Sequence, residues 1–250
     1  MQLLSVKNLS KTYSKNNLQA LSDISFSVDK GEFVSIIGPS GCGKSTLFNI
    51  LSGVENAAGV IKLDGKIADK RKGRFGYMLQ SPLLLPWRTV LQNIVLGLDI
   101  QRIPRAESIK NAEKLLKEFD LLKFANNYPD TLSGGMKQRV AFLRTILFQK
   151  DFLLLDEPFG ALDALTRFSC QIWLQDVLEK IKPTVIFITH DIREAIFLSD
   201  TIYALSPRPG KIIKKFEVNI PRPRLKKDLT SKPAVQLEEQ ILSSLFKKTD

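Results

Sequence analysis

Short runs rich in strand-forming residues open the chain, LLSVKNL, then LSDISFSV, then EFVSIIG. The third passes straight into a glycine-rich turn and on to KSTLFNILSG, whose apolar spacing is that of a helix. Two more strands are predicted at VIKLDG and GRFGYML. From about Ser81 to Gln149 the pattern turns helical: AESIKNAEKLLKEFDLL repeats apolar residues at three- and four-residue intervals, with Pro104 as a start signal. Strand and helix then alternate again through DFLLLDE, LTRFSCQIWLQDVLEKI, TVIFITH, IREAIFLSD and TIYALS, as in a parallel sheet with crossover helices. From Pro207 onward the chain is rich in Pro, Arg and Lys and predicts an edge strand, a PRPR turn and a final amphipathic helix. No internal repeat is present. The pattern therefore predicts an α/β fold in four stretches: 1–80 and 150–206 as the two parts of the core, 81–149 as an inserted helical subdomain, and 207–250 as an extension.

Composition narrows the class. With 44% hydrophobic and 25% charged residues, 250 residues are enough to bury a sizeable core. No apolar run reaches the roughly 18–20 residues needed to cross a bilayer, and MQLLSVKNLSKTY lacks the basic start and apolar stretch of an export leader. A chain that neither spans a membrane nor is secreted is the expectation. Cys42 and Cys170 lack metal-ligand spacing, so zinc and disulfides are not expected. An excess of 37 Lys and Arg over 26 Asp and Glu, a formal charge of +11, suits an anionic partner: nucleotide, nucleic acid or acidic lipid. Its sign does not choose among them.

Candidate chemistry begins at Gly38-Pro39-Ser40-Gly41-Cys42-Gly43-Lys44-Ser45-Thr46, which fits GxxxxGK[ST] between an apolar strand and a helix. Glycines let successive backbone N–H groups turn inward around an anion, and the helix N-terminus adds partial positive charge. Lys44 can then reach the β- and γ-phosphates, and the Ser45 hydroxyl can ligate Mg²⁺. Cys42 has no histidine nearby in sequence and is read as a small loop filler.

A second apolar strand ends in Asp156-Glu157-Pro158, placing two carboxylates at the carboxyl edge of the sheet, where ligands of open parallel sheets collect. Asp156 fits a role holding Mg²⁺ through water, and Glu157 fits a general base for attacking water. His190, the single histidine, ends the strand VIFITH at the same predicted edge, within reach of a γ-phosphate.

Leu132-Ser133-Gly134-Gly135-Met136, followed by Lys137-Gln138-Arg139 and a helix, resembles the signature of ABC-type ATPases, whose landmarks occur in order to about Pro209. The resemblance implies a P-loop NTPase core with a mixed sheet, an antiparallel β subdomain beside a parallel core, and an inserted α-helical subdomain. It implies ATP and Mg²⁺ as cofactors, with Gln80 joining metal and water to the helical subdomain and His190 as the γ-phosphate switch. By the same resemblance Tyr13 stacks on adenine, an edge-strand aromatic being the plainer reading, and Asp163 lies in a loop crossing a dimer interface. Ser133, Gly134 and Gly135 form a second anion site at a helix N-terminus, which the resemblance closes on the ATP of a second protomer in a homodimer.

LSGGMKQR, LLPWRTVLQNI and LSPRPGKI resemble the nitrate, sulfonate and taurine importer branch, although Phe142, Leu143 and Thr145 replace its usual small residues. LLPWRTV reads either as an apolar loop entering a helix or as a surface, with Trp87, that receives a helix of a membrane subunit. The resemblance implies ATP hydrolysis at the cytoplasmic face of a bacterial inner membrane, an integral permease partner and, indirectly, an extracytoplasmic solute-binding protein, with no nucleic acid. The rival reading is a non-transport ABC ATPase acting on DNA or ribosomes, which the net charge favours. Against it, the chain carries neither a second cassette nor a long coiled-coil insertion.

Overall fold

The computed structural model describes residues 2–14, 16–148 and 152–246. In chain order the elements are β1 (Gln2–Tyr13), β2 (Leu18–Asp29), β3 (Phe33–Ile37), α1 (Lys44–Leu51), β4 (Ala58–Leu63), β5 (Lys66–Ile67), β6 (Phe75–Met78), α2 (Val90–Ile94) and α3 (Leu96–Ile100). There follow α4 (Arg105–Glu118), α5 (Gly134–Leu147), β7 (Phe152–Asp156), α6 (Ala164–Ile181), β8 (Thr184–Thr189), α7 (Ile192–Leu198), β9 (Thr201–Leu205), β10 (Ile212–Glu217) and α8 (Lys232–Phe246). Each strand and helix expected from the apolar pattern is present, and the two-residue β5, too short to carry a pattern, is added. Gln149, which closes the expected helical stretch, and Asp151, which opens the expected strand DFLLLDE, lie outside the described residues. The backbone divides into two compact units, Met1–Phe75 with Lys182–Asp250, and Gly76–Ile181.

In the first unit, β2-β1-β4-β5 form an antiparallel sheet, and β10-β9-β3-β8 lie side by side in a second. The sequence dictates the difference. β3 and β8 are buried at every position and are rich in Phe, Val and Ile, with Ser35, Thr184 and Thr189 the buried polar exceptions, as interior parallel strands covered on both faces are. β10 buries only Phe216 and pairs antiparallel with β9, as an edge strand does. The expected final helix, α8, turns Ala234 and Ile241 inward with Leu237 and Leu245 partly covered, a stripe at helical spacing that packs with Phe216, Ile196 and Ile202. The PRPR turn is held by Arg224, 3% exposed, whose guanidinium donates to the carbonyls of Ile196, Phe197 and Ser199 at 2.9, 3.2 and 2.7 Å. These carbonyls belong to the open C-terminal end of α7, where a cation is favoured. Burial pushes the Arg224 pKa down to about 10, with the Arg222 charge acting the same way, so it stays charged at neutral pH.

In the second unit, α4 buries Ser108, Ala112 and Leu116, one stripe at four-residue spacing, and leaves its charged remainder to solvent. α5 is buried on most of its turns, Phe142, Leu143 and Thr145 included, and Trp173 of α6 meets Phe119 and Phe142 edge-on at 5.7 Å. Gly135 makes that packing possible: a Cβ there would stand 2.7 Å from Thr166 Cγ2 of α6. Among the described residues no helix is long and apolar enough to cross a membrane.

Candidate functional site: a phosphate loop and a carboxylate edge

The first unit builds the phosphate loop from β3. Five buried residues bring the chain to Gly38, and α1 starts six residues later at Lys44, so residues 38–43 must turn sharply at the sheet edge. Gly41 and Gly43 do so at φ +74° and +106°, backbone that L side chains rarely adopt. At Gly43 a Cβ would also lie 2.7 Å from Leu21 Cδ2 and 2.8 Å from the Ala20 carbonyl. Gly43 is the N-cap of α1 with no side-chain cap, leaving the first-turn N–H groups of the helix for an acceptor other than a capping side chain. Lys44, 6% exposed, donates to the carbonyls of Gly38 and Pro39 at 2.9 and 3.1 Å. A buried ammonium held by two neutral carbonyls beside open N–H groups is a built anion site, and it fits the phosphates of a nucleotide. The Cys42 thiol is buried inside the loop, and burial pushes its pKa up against the pull of Lys44 and Arg208.

Parallel pairing fixes what stands beside this loop. Ile37 and Thr189 are register partners, so Gly38 and His190 leave adjacent strands at the same edge. His190 is exposed there, and Asp191 accepts the N–H groups of Arg193 and Glu194 at 2.8 and 3.1 Å to start α7. Tyr13, at the end of β1, shares a hydrogen bond of 3.2 Å with Thr46 Oγ1 and donates to Glu55 at 3.1 Å, while Lys11 lies 5.1 Å from its ring centroid. Burial raises the Glu55 pKa, but hydrogen bonds from Asn49, Tyr13 and Lys11 together hold the carboxyl below the usual range.

The second unit carries the carboxylates. β7 is buried throughout and delivers Asp156, whose Oδ2 accepts from the Tyr77 hydroxyl of neighbouring β6 at 3.4 Å. Burial first, and then the Asp156 charge, push the Tyr77 phenol well above its ordinary value, so it remains a donor. Glu157 follows in the left-handed region at φ +42°, a conformation costly for glutamate. Gly160 looks onto both Gln80 and Glu157: a Cβ placed there would be 3.7 Å from the Gln80 amide nitrogen and 3.8 Å from Glu157 Oε2. The amide and the carboxylate thus flank one point. Gln138 of α5 donates to the Gln80 carbonyl at 3.3 Å, and Arg144 clamps the carbonyls of Pro82 and Leu83 at 2.7 and 2.8 Å. Ser133 is the N-cap of α5, accepting the Met136 N–H at 3.3 Å, with Gly134 and Gly135 as its first helical residues. Asp163 caps α6 through the N–H groups of Leu165 and Thr166 at 3.1 Å, and the Thr166 hydrogen bonds hold its carboxyl below the usual range.

Among the described residues no three His, Cys, Asp or Glu side chains converge into a metal cage. In the first unit the Ser45 hydroxyl, and in the second the Gln80 amide and Asp156, are hard oxygen donors of the kind that suits Mg²⁺. Sequence reasoning left out Tyr77, Glu55 and Arg208. Arg208 had a visible signal, a Pro-Arg-Pro-Gly turn between two strands, whereas an aromatic on a four-residue strand such as FGYM has none.

Fold and loop together define a P-loop nucleotide-binding protein. The chain belongs to the ABC transporter family, whose family model matches residues 21–160. It is similar to the aliphatic sulfonates import ATP-binding protein SsuB of Bacillus cereus, 42% identical over 96% of this chain and 94% of that one. An uncharacterized ABC transporter ATP-binding protein of Methanocaldococcus jannaschii is 41% identical over 97% of this chain and 91% of that one. Among solved structures, the dimeric ATP-binding cassette MJ0796 in a post-hydrolysis state with ADP and Pi superposes with a TM-score of 0.74 at 31% identity. The match covers 87% of this chain and all of that one. CbiO1 of Clostridium perfringens, part of the cbiONQ transporter complex, gives a TM-score of 0.80 at 26% identity, covering 96% and 95%. The α/β P-loop fold with its inserted helices and an ATPase activity follow from this membership.

Proposed function

We infer that this chain is the ATP-hydrolysing subunit of an importer for a small anionic or zwitterionic solute, an alkanesulfonate first, with nitrate or taurine as the neighbouring choices. The observation that carries the reading is the SsuB likeness over nearly the whole of both chains, joined to a glycine-rich loop in which Gly41 and Gly43 adopt positive φ and Lys44 is tied to the Gly38 carbonyl. Lys44 and the loop N–H groups hold the β- and γ-phosphates, Ser40 and Thr46 border them, and Tyr13 lies against the adenine. Ser45, Gln80 and Asp156 are the residues that would hold Mg²⁺, which would supply positive charge to offset that developing on the phosphate oxygens. Glu157 takes a proton from the attacking water as the bond from the γ-phosphorus to the β–γ bridging oxygen breaks, leaving ADP and phosphate. His190 donates to the γ-phosphate. Two protomers close as a two-fold dimer, so that Ser133, Gly134 and Gly135 meet the nucleotide of the partner and Asp163 lines the joint; that the similar MJ0796 cassettes are dimeric supports the pairing of two protomers. The helical stretch 81–149 carries the motion of closure to a permease at the cytoplasmic face of the membrane, through the exposed Leu83 and Trp87. A solute-binding protein outside the membrane completes the importer.

The test is affinity purification of the chain from gently solubilised native membranes, followed by alkanesulfonate-stimulated ATP hydrolysis in the recovered complex. One multi-helix membrane protein with stimulated hydrolysis is the expected result. Recovery of ribosomal or DNA-bound proteins with nothing from the membrane would overturn the importer reading and leave the ATPase standing.

A further inference from the structure

The turn between β9 and β10, Ser206-Pro207-Arg208-Pro209-Gly210-Lys211, lies across the phosphate loop within the first unit. It is fastened on one side by main-chain bonds: Gly210 N–H donates to Ala20 O at 3.0 Å and Ser22 N–H to Gly210 O at 3.0 Å. It is closed internally by the Ser206 hydroxyl, which donates to the carbonyls of Pro207 and Pro209 at 2.9 and 3.1 Å and accepts the Lys211 N–H at 3.0 Å. The approach is so close that a Cβ on Gly210 would stand 2.2 Å from the Cys42 carbonyl. From this strap Arg208 reaches out and donates both Nε and Nη2 to the Gly41 carbonyl, at 3.0 and 2.8 Å.

A loop that turns its N–H groups inward to an anion turns carbonyls outward, and each of those is a strong acceptor that must find a donor. Here Lys44 takes the carbonyls of Gly38 and Pro39, and Arg208 takes that of Gly41 with two charge-assisted bonds. Gly41 sits at φ +74°, and on the other side of its peptide the Cys42 N–H donates to the Pro39 carbonyl at 3.3 Å, so the Arg208 fork fixes the carbonyl side of a peptide that the loop itself ties only through its N–H.

We propose that Arg208 is a positioning residue of the nucleotide site: from the β9–β10 strap it holds the Gly41 peptide so that the phosphate loop is preformed for the nucleotide's phosphates. The inference rests on the phosphate-loop reading above. An arginine fork does what a lysine cannot, because two donors in one plane fix the direction of a carbonyl as well as its charge.

The test compares Arg208→Ala, Arg208→Lys and, as a control on the reading beneath it, Lys44→Ala. ATP and ADP affinity are followed by titration with fluorescent analogues, and KM and kcat by phosphate release, on the full-length protein. Arg208→Ala is expected to raise Kd and KM about five- to tenfold with kcat at saturating ATP within about twofold, and Arg208→Lys to recover only a small part. Two results overturn the proposal: unchanged KM in Arg208→Ala, whether or not the melting temperature falls, or full recovery by lysine, which would make the effect one of charge alone. If Lys44→Ala also binds ATP normally, the phosphate-loop reading itself fails, which separates the two failures.

Discussion

Glu157 stands in left-handed backbone immediately after a fully buried strand, and its carboxylate flanks the same point as the Gln80 amide. If it is the general base, Glu157→Gln keeps ATP binding and loses turnover by about 10²-fold or more, read as kcat with Kd unchanged; rapid steady-state hydrolysis by that variant removes Glu157 from the role. Glu55 allows a prediction in pH. Its folded carboxyl ionises more readily than in the unfolded chain, so its contribution to stability is present above the unfolded value of about 4.3 and fades as pH falls through the lower folded value. Glu55→Gln should therefore show a shallower loss of Tm than the parent between roughly pH 6 and 3 by calorimetry. At this scale the chain was legible where chemistry demands a fixed spacing: Lys44 and Ser45 can be named because a loop of set length must wrap a phosphate. Tyr77 could not be named, because it acts across 79 residues of chain on a partner brought near only by strand pairing; the turn that carries Arg208 was visible, but not its partner 167 residues away, which only strap packing brings near.

Elements are where packing decides. α5 and α6 approach closely because Gly135 faces Thr166. Gly135→Ala should cost about 1–3 kcal/mol by chemical denaturation, and adding Thr166→Ser, which removes the obstructing methyl, should restore at least half of it. A full cost that Thr166→Ser leaves untouched would place the strain elsewhere. The C-terminal end of α7 depends on Arg224, whose removal strands three buried carbonyls; Arg224→Ala should lower stability by about 2–4 kcal/mol, well beyond a surface arginine such as Arg105. Apolar spacing made α4, α6 and α8 legible, since α4 and α8 each keep one stripe inward and α6 repeats large apolar residues along its length. It did not separate α2 from α3, five residues each, because so short a helix owes its ends to local bonds such as the Thr89–Gln92 capping box. Nor did it mark the loop before α2 as ordered, although Asn93 ties Leu85, Arg88 and Thr89 with four hydrogen bonds.

At the scale of the whole molecule, the chain enters the Gly76–Ile181 unit once and leaves it once, so the first unit is completed only by residues from both ends of the sequence. The change of apolar period marks the helices α2 to α5 in the sequence, but the limits of the Gly76–Ile181 unit carry no such mark, because β6 and α6 read as ordinary members of an α/β alternation. With ATP and Mg²⁺, Glu157→Gln is expected to sediment as a dimer and to return to the lighter species on ADP; a monomer at saturating ATP would argue against closure of two protomers. The two cysteines of the chain fall one to each unit, Cys42 within the phosphate loop and Cys170 on α6, and both are buried. The protein therefore carries a native reporter in each half. A thiol reagent can label either site only during an opening, so the two alkylation rates clock the openings of the two units separately, with no residue introduced. Nucleotide should slow the clock at Cys42 directly, and any slowing at Cys170 measures how far the second unit shares in that protection.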